Sequence, residues 1–317
     1  MRIVFMGTPD FAVPILDILV KNKYNIVGVI TAPDKPSGRG LKMNQSAVKE
    51  YALQHGLFIL QPEKLKSPEF IETLTALNAD LQIVVAFRML PEVVWRMPPK
   101  GTFNLHASLL PQYRGAAPIN YAIINGEKET GVTTFFLSHE IDTGHIILQE
   151  KCEIGPNETA GELHDKLMLL GAETVLKTVQ LIEKGDVKPI PQNALLMGNL
   201  KAAHIIFKDN CIIIWENEAL VIHNFIRGLS PFPTAFTYLT LNSEEKILFK
   251  VFKAEYEIEK HQMLFGHIVT DSKNYLKVAC NDGYISLLQV QMAGKKAMPI
   301  LEFLRGFDAT KIKLLGM

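Results

Sequence analysis

Residues 2–6 of the chain read Arg-Ile-Val-Phe-Met, and residues 81–86 read Leu-Gln-Ile-Val-Val-Ala. Residues 25–31 and 57–60 are further apolar runs rich in β-branched side chains. Runs of this length and composition are typical of strands. Because polar residues do not alternate with apolar ones, both faces of each strand are expected to be buried, as in a parallel sheet.

Helical patterns lie between these strands. Residues 11–20, 46–55 and 68–77 are segments of helical length and composition. Strands that alternate with helices indicate a parallel sheet covered by helices on both faces. We therefore predict an α/β fold with a doubly wound, mostly parallel, Rossmann-like sheet, closed by a long amphipathic helix over residues 160–184.

The length of the chain predicts two domains, since 317 residues exceed the ~100 to 200 residues usual for one domain. A stretch containing proline and glycine follows Gly185 and is predicted to be a linker. Short strand-like runs beyond it indicate a smaller β-barrel domain of OB-like type. We place the catalytic domain at residues 1–185, the linker at residues 186–206 and the barrel at residues 207–317.

Composition limits the kinds of partner. The 33 basic and 33 acidic residues give zero formal charge, so RNA binding would need a local patch. Cys152, Cys211 and Cys280 lack paired spacing, which argues against disulfides and a zinc ribbon. The opening MRIVFMGTPDF lacks the apolar run of a secretory signal, and no stretch reaches the ~20 apolar residues of a spanning helix. We expect a cytoplasmic monomer without membrane contact.

Residues 102–106, Thr-Phe-Asn-Leu-His, carry the first candidate for chemistry. Side chains two positions apart share one face of a strand, so Asn104 and His106 should project together. Acyl transfer needs a preorganised donor for the oxyanion and a group that moves protons, which an amide and an imidazole supply. The alternative is that both residues merely end a strand. The Pro-, Gly- and Arg-containing loop at residues 107–118 favours the functional interpretation.

Asp142 lies in a second polar loop, residues 139–145. Its carboxylate could stabilise an imidazolium formed at His106, although an aspartate before Thr-Gly is also a common turn former. His139, Asp142 and His145 are spaced three apart and, with His106, could bind zinc. This metal alternative is weaker, because spacing alone fixes no site and no cysteine lies nearby.

The loops that follow the first two predicted strands bear on whether a dinucleotide or a nucleic acid could bind there. Residues 7–12, Gly-Thr-Pro-Asp-Phe-Ala, lack the second and third glycines of a dinucleotide-binding motif, which disfavours a dinucleotide-dependent oxidoreductase. Lys35, Arg39 and Lys42 lie in a turn-rich loop that suits a phosphate backbone. A solvated surface loop is the alternative interpretation.

Taken in order, these segments resemble the methionyl-tRNA formyltransferase family. The matching stretches are GTPDFA at 7–12, APDKPSGRG at 32–40, NLHASLLPQYRGAAPI at 104–119, ETGVT at 129–133, IDTG at 141–144 and IRGLSPFP at 226–233. The resemblance implies a formyl-folate-binding doubly wound domain and a barrel domain that assists tRNA binding. It implies transfer of the formyl group of 10-formyltetrahydrofolate to the α-amine of initiator methionyl-tRNA, without a metal.

The resemblance also implies roles for individual residues. Asn104, His106 and Asp142 match the catalytic trio of the family, with oxyanion stabilisation by Asn104 and His106. The expected folate-contacting residues are Ser108, Leu109, Leu110, Pro111, Phe87 and Met89. The expected tRNA-binding residues are Lys35, Arg39 and Lys42. The chain departs from the family at residues 86–91, which lack the usual Tyr-Gly pair, and at residues 201–205, which lack the usual proline and second lysine.

Other functions remain open at this stage. A formyltransferase acting on an amino sugar nucleotide would share the chemistry and a barrel-like extension. One acting on glycinamide ribonucleotide is disfavoured because such enzymes lack the carboxy-terminal domain. A hydrolase of formyl-folate would keep the trio but need no basic loop, and a non-catalytic folate or RNA binder would not need the joint geometry of the trio.

Overall fold

The computed structural model describes residues 1–37, 42–195 and 198–316. These residues form two compact units, each built from several segments of the chain. The first unit comprises Met1–Gly115, Glu129–Glu153 and His164–Ala202. The second unit comprises Ala116–Lys128, Ile154–Leu163 and Ala203–Met317. The domain limits given above, with a linker at residues 186–206, stay a prediction.

The secondary-structure elements are numbered in chain order. The strands are β1 Arg2–Gly7, β2 Asn25–Ile30, β3 Lys35–Ser37, β4 Lys42–Asn44, β5 Ile59–Leu60, β6 Leu81–Val85, β7 Thr102–His106, β8 Arg114–Gly115, β9 Glu129–Phe136, β10 Ile146–Glu153, β11 Ala202–Ala203, β12 Ala235–Leu241, β13 Lys246–Ile258, β14 Ile268–Thr270, β15 Leu276–Ala279, β16 Gly283–Met292, β17 Met298–Pro299 and β18 Ile312–Gly316. The helices are α1 Val13–Lys21, α2 Ala47–Gln54, α3 Pro68–Ala76, α4 Glu92–Trp95, α5 Pro118–Ile124, α6 Ala160–Lys184, α7 Ala219–Gly228 and α8 Ile300–Gly306. None of the helices in the described parts of the chain is long and apolar enough to cross a membrane.

A seven-stranded sheet in the order β10-β9-β7-β6-β1-β2-β5 forms the centre of the first unit. β1 pairs in parallel with β2 and β6, and β6 pairs in parallel with β7. β9 and β10 add an antiparallel edge. Ile3 to Met6 of β1 and all of β6 are buried, which explains their uninterrupted apolar sequence. The predicted α/β fold is confirmed.

α6 runs unbroken for 25 residues although it contains two glycines. A Cβ on Gly171 would lie 2.7 Å from Cδ2 of Leu105, so glycine allows this helix to approach β7 closely. Leu105 stands between Asn104 and His106 and is itself buried. The contact therefore holds in place the strand that carries both candidate side chains.

The second unit is built around an antiparallel sheet in the order β14-β15-β16-β13-β12-β18, with β17 paired to β16. The N–H of Leu315 in β18 donates to the carbonyl of Gly266, just before β14, at 2.8 Å. This bond brings the two ends of the sheet together. Val251, Ile285 and Val290 are fully buried in its core. The unit is thus a nearly closed antiparallel barrel, and the predicted barrel is confirmed.

Candidate active site

Asn104 and His106 lie at the carboxyl end of β7, near the middle of the sheet. Asn104 is in register with Val84 of β6 and Phe135 of β9. The carboxyl ends of parallel strands are where open α/β sheets bind ligands. His106 is buried, whereas Asn104 is half-buried. Their spacing of two places both on the same face of the strand.

The imidazole of His106 has a different neighbour at each ring nitrogen. Nε2 lies 2.8 Å from the carbonyl oxygen of Tyr113, and because a carbonyl only accepts, Nε2 carries a proton. Nδ1 lies 3.9 Å from Oδ2 of Asp142. This distance is too long for a direct hydrogen bond. It is short enough for the carboxylate to stabilise positive charge on the ring.

The Asp142 carboxylate is held in a turn. Oδ2 accepts a hydrogen bond from the backbone N–H of Gly115 at 3.1 Å, and the backbone of Asp142 is left-handed, with φ at 55°. A Cβ on Gly144 would lie 1.6 Å from the carbonyl oxygen of Phe136, so only glycine fits there. The sequence Asp-Thr-Gly therefore makes a turn and also aims a carboxylate at His106, which joins the two interpretations left open above.

The side-chain amide of Asn104 differs from its neighbours in having no protein partner. It is partly exposed and makes no hydrogen bond with another residue of the described ranges. Polar groups inside a folded site are normally hydrogen-bonded. An unused amide donor on the ligand-binding edge of the sheet is therefore available to a bound molecule.

Side chains of β9 and β10 form hydrogen bonds with the backbone of the loop at residues 108–111. Thr133 Oγ1 donates to the carbonyl of Ser108 at 2.6 Å and accepts from the N–H of Leu110 at 3.1 Å. Gln149 Nε2 donates to the carbonyl of Leu110 at 2.8 Å. Three hydrogen bonds thus set the backbone of this loop.

The predicted folate-contacting residues of this loop do not all face outward. The hydroxyl of Ser108 is buried and donates to the carbonyl of Gln112 at 2.7 Å. Leu110 and Pro111 are also buried, and Leu109 is half-buried. Leu109 keeps part of its surface exposed to a ligand, but the Ser108 hydroxyl is already engaged within the protein.

Phe87 and Met89 lie in the loop that follows β6. Phe87 packs partly against the core beside the sheet, and the guanidinium of Arg88 lies 5.6 Å from its ring centroid. Met89 is 76% exposed. Of these two predicted folate contacts, Met89 is the more exposed.

The predicted tRNA-binding loop includes β3 and β4, which pair as antiparallel strands. Lys35 begins β3 and Lys42 begins β4, while Arg39 lies outside the residues that the structure describes. Directly before β3, Asp34 Oδ2 accepts from Lys49 Nζ at 2.5 Å. This bond to Lys49 lowers the pKa of Asp34. The base of the loop is therefore tied to α2.

The possible zinc ligands proposed from the sequence are not grouped as a metal site in the described residues. Within residues 1–37, 42–195 and 198–316, no group of three or more His, Cys, Asp or Glu side chains could hold a metal ion. His139 instead lies 3.5 Å from Glu92 through Nδ1 and 3.1 Å from Arg96 through Nε2.

Comparisons with known proteins agree with this geometry. A family model described as "Formyl transferase" matches residues 1–179, and one described as "Formyl transferase, C-terminal domain" matches residues 205–308. The chain therefore belongs to the formyl transferase family.

Within the formyl transferase family, this chain is similar over nearly its whole length to curated methionyl-tRNA formyltransferases. The methionyl-tRNA formyltransferase of Bacteroides fragilis is 55% identical over 312 residues, which is 98% of this chain and 96% of the relative. That of Phocaeicola vulgatus is 56% identical over 310 residues, 97% of this chain and 96% of the relative. The resemblance found from the motifs is thus confirmed. The N-formyltransferase from Helicobacter canadensis, solved with folinic acid and dTDP-3-aminofucose, shares the fold with a TM-score of 0.64 at 21% identity, covering 92% of this chain and 100% of that one.

Proposed function

We propose that this chain transfers the formyl group of 10-formyltetrahydrofolate to the α-amine of initiator methionyl-tRNA. One observation carries the proposal: Asp142 faces His106, on the strand that also carries Asn104, in a chain 55% identical over nearly its whole length to a methionyl-tRNA formyltransferase. The reaction is acyl transfer to an amine, for which these groups are suited.

10-Formyltetrahydrofolate supplies the formyl carbon that the amine attacks. Asn104 is placed to donate a hydrogen bond to the formyl oxygen, because its amide has no partner among the described residues and lies at the ligand-binding edge. A preorganised donor of this kind stabilises the negative charge that develops on that oxygen. The loop at residues 108–111, which Thr133 holds in place, presents the partly exposed side chain of Leu109 to the folate.

His106 and Asp142 form the second part of the machinery. An imidazolium at His106 has an acceptor at Nε2, the carbonyl of Tyr113, and a carboxylate facing Nδ1. His106 donates its Nε2 proton to the formyl oxygen in a hydrogen bond that it shares with the carbonyl of Tyr113. The imidazolium of His106 gives one proton to the departing folate nitrogen and, once neutral, takes up the proton that the attacking amine loses, so that the ring ends the reaction protonated again.

We place contacts with the acceptor tRNA at two surfaces. The first is the loop with Lys35, Arg39 and Lys42, which matches the family's tRNA-gripping loop. The second is a cavity of about 490 Å³ within the second unit, whose lining includes Phe232, Lys208 and Lys250. Phe232 is 82% exposed, and neither lysine forms an ion pair with a residue in the described ranges. Exposed aromatic and basic side chains suit stacking on a base and contact with phosphate.

The proposal also includes a location and a state of assembly. We place the protein in the cytoplasm, where aminoacylated tRNA is used for translation, and we propose that it acts as a monomer. Cys211 and Cys280 are buried thiols without a disulfide bond, which is compatible with a reducing compartment.

The test is incubation of the purified chain with formyl-labelled 10-formyltetrahydrofolate and one of three acceptors: methionyl-tRNA, uncharged tRNA or an amino sugar nucleotide. We expect label on the α-amine of methionyl-tRNA only. Label on the sugar nucleotide alone would assign the chain to the amino sugar formyltransferases. Release of labelled formate at the same rate without any acceptor would indicate a hydrolase.

A further inference from the structure

The segment predicted as a linker contains one deeply buried amide. Gln192 begins a short 3-10 helix, Gln192–Leu195, and is only 3% exposed, while Asn193 and the next two residues of that helix are exposed. Glutamine is mostly found at protein surfaces, and it is buried when its amide is hydrogen-bonded.

The amide of Gln192 uses all of its hydrogen-bonding capacity. Nε2 donates to the carbonyl oxygens of Asp142 at 2.8 Å and Gly144 at 2.9 Å. Oε1 accepts two bonds from the guanidinium of Arg114, from Nε at 3.0 Å and from Nη2 at 2.6 Å. Two N–H donors and two lone pairs are the full complement of a glutamine amide. One side chain therefore joins the turn of Asp142 to β8.

Three consecutive residues around β8 contact the candidate active site. The carbonyl of Tyr113 accepts from His106, the side chain of Arg114 bonds Gln192, and the N–H of Gly115 donates to the carboxylate of Asp142. Gln192 thus holds the backbone of Asp142 and also the residue next to the donor that orients its carboxylate.

We propose that Gln192 is a positioning residue for formyl transfer, which acts by fixing the Asp142 carboxylate opposite His106. The inference rests on the proposed function above. Asp142 has a left-handed backbone, a conformation that persists when surrounding bonds support it. Among the described residues, the N–H of Gly115 makes the one hydrogen bond to the Asp142 carboxylate, and Gln192 acts on the backbone that carries this carboxylate, through the carbonyl of Asp142. A displacement of about 1 Å in a catalytic group can reduce turnover by roughly 100-fold.

The Gln192→Glu substitution distinguishes positioning of Asp142 by hydrogen bonds from a role of Gln192 in packing alone. The carboxylate keeps the size of the side chain and still accepts from Arg114, but it cannot donate to the two carbonyls. We expect kcat to fall by roughly 10- to 100-fold, with little change in KM for the folate donor or methionyl-tRNA. Asn193→Ala, on the exposed side of the same helix, is the matched control and should keep the activity of the unmodified chain.

A double-mutant cycle shows whether Gln192 acts through Asp142. Gln192→Met removes all four bonds in a side chain of similar volume. We expect it to reduce kcat strongly in the native chain and only slightly in an Asp142→Asn background, because residues that act as a unit are not additive. Losses that multiply would overturn the proposal. Failure of both Gln192 variants to fold would assign the residue a general structural role and would also overturn it.

Different results reject the formyl transfer activity and the role of Gln192. If the unmodified chain does not formylate methionyl-tRNA, the proposed function is rejected. If the unmodified chain is active and Gln192→Glu is equally active, only the role of Gln192 is rejected.

Discussion

His106 donates a hydrogen bond from Nε2 to the backbone carbonyl of Tyr113 over 2.8 Å. This bond orients the ring so that its other nitrogen, Nδ1, faces the carboxylate of Asp142. A positive charge on the ring would therefore be stabilised from two sides, by a carbonyl dipole and by a carboxylate.

Asp142→Asn should reduce kcat on the order of 100-fold or more. The substitution removes the negative charge facing His106 but leaves an oxygen that can accept from the N–H of Gly115. The measurement is single-turnover transfer of labelled formyl to methionyl-tRNA at saturating concentrations. Asp165→Asn is the matched control, because Asp165 is an exposed acid 3.0 Å from another histidine, His164. Near-normal turnover in the Asp142 variant would contradict the role given to this carboxylate.

Asn104→Ala should reduce kcat by roughly 100- to 1000-fold, the usual effect of removing an oxyanion donor. The fold should persist, since the Asn104 amide has no partner in the described structure to lose. Turnover and the thermal unfolding midpoint are measured on the same preparation. Asn157→Ala, at an exposed position, should change neither. A folded Asn104 variant with normal turnover would exclude this amide from the reaction.

Thr133→Val tests the support under the loop at residues 108–111. Valine keeps the shape of the side chain but leaves the carbonyl of Ser108 and the N–H of Leu110 without their hydroxyl partner. We expect a loss of about 1–3 kcal/mol in the free energy of unfolding, and a rise in KM for the folate donor larger than that for tRNA. Thr130→Val is the control on the same strand, where the hydroxyl makes no hydrogen bond within the described residues. Equal effects of the two variants would contradict a specific role of Thr133.

Much of the fold could be predicted because the deciding signals are local. The run at residues 81–86 predicted β6, and the apolar periodicity at residues 160–184 predicted both ends of α6. The short helices α4, α5 and α8, of four, seven and seven residues, were not predicted. Two turns of helix hold too few apolar residues to show a period, and α5 begins with the proline that closes an apparent loop.

In the candidate site, too, the features set by local sequence could be predicted and the long-range contacts could not. The spacing of Asn104 and His106 on one strand follows from the two-residue period of strands, so it is visible in the sequence. Gln192 contacts a carbonyl 50 residues earlier in the chain, and no local pattern records that contact. The inward direction of Ser108 likewise depends on Gln112 and on the packing below the loop, which the motif does not reveal.

Substitutions in the cavity of the second unit should weaken the binding of tRNA and leave that of the folate donor unchanged. Phe232→Ala and Lys250→Ala should raise KM for methionyl-tRNA, because stacking of one base contributes about 1–3 kcal/mol and a lysine contacts phosphate. KM for the folate donor and kcat should not change. Lys250→Ala should also make tRNA binding less dependent on salt. Phe265→Ala is the control, an exposed aromatic of the same unit that does not line the cavity; an equal rise there would contradict a site at Phe232.

His223 predicts how stability of the second unit depends on pH. The side chain is 3% exposed, and burial lowers its pKa, with the nearby charge of Arg227 acting in the same direction and that of Glu255 opposing it. The folded chain therefore prefers the neutral ring, while the unfolded chain takes up a proton near the ordinary pKa of about 6.5. The stability that this creates is present above about pH 6.5 and is lost as pH falls from there toward the lowered pKa of the folded state.

His223→Gln should remove that part of the pH dependence, since glutamine can still donate toward the carbonyl of Pro156 but does not titrate. Between about pH 7.5 and pH 5.5, the free energy of unfolding in urea should fall more steeply for the unmodified chain than for the variant, by at most about 1.4 kcal/mol per pH unit. His145→Gln, which replaces an exposed histidine, should retain the slope of the unmodified chain. If the slopes of the unmodified chain and His223→Gln coincide, the ring of His223 titrates equally in the folded and unfolded states, and its burial contributes nothing to acid sensitivity.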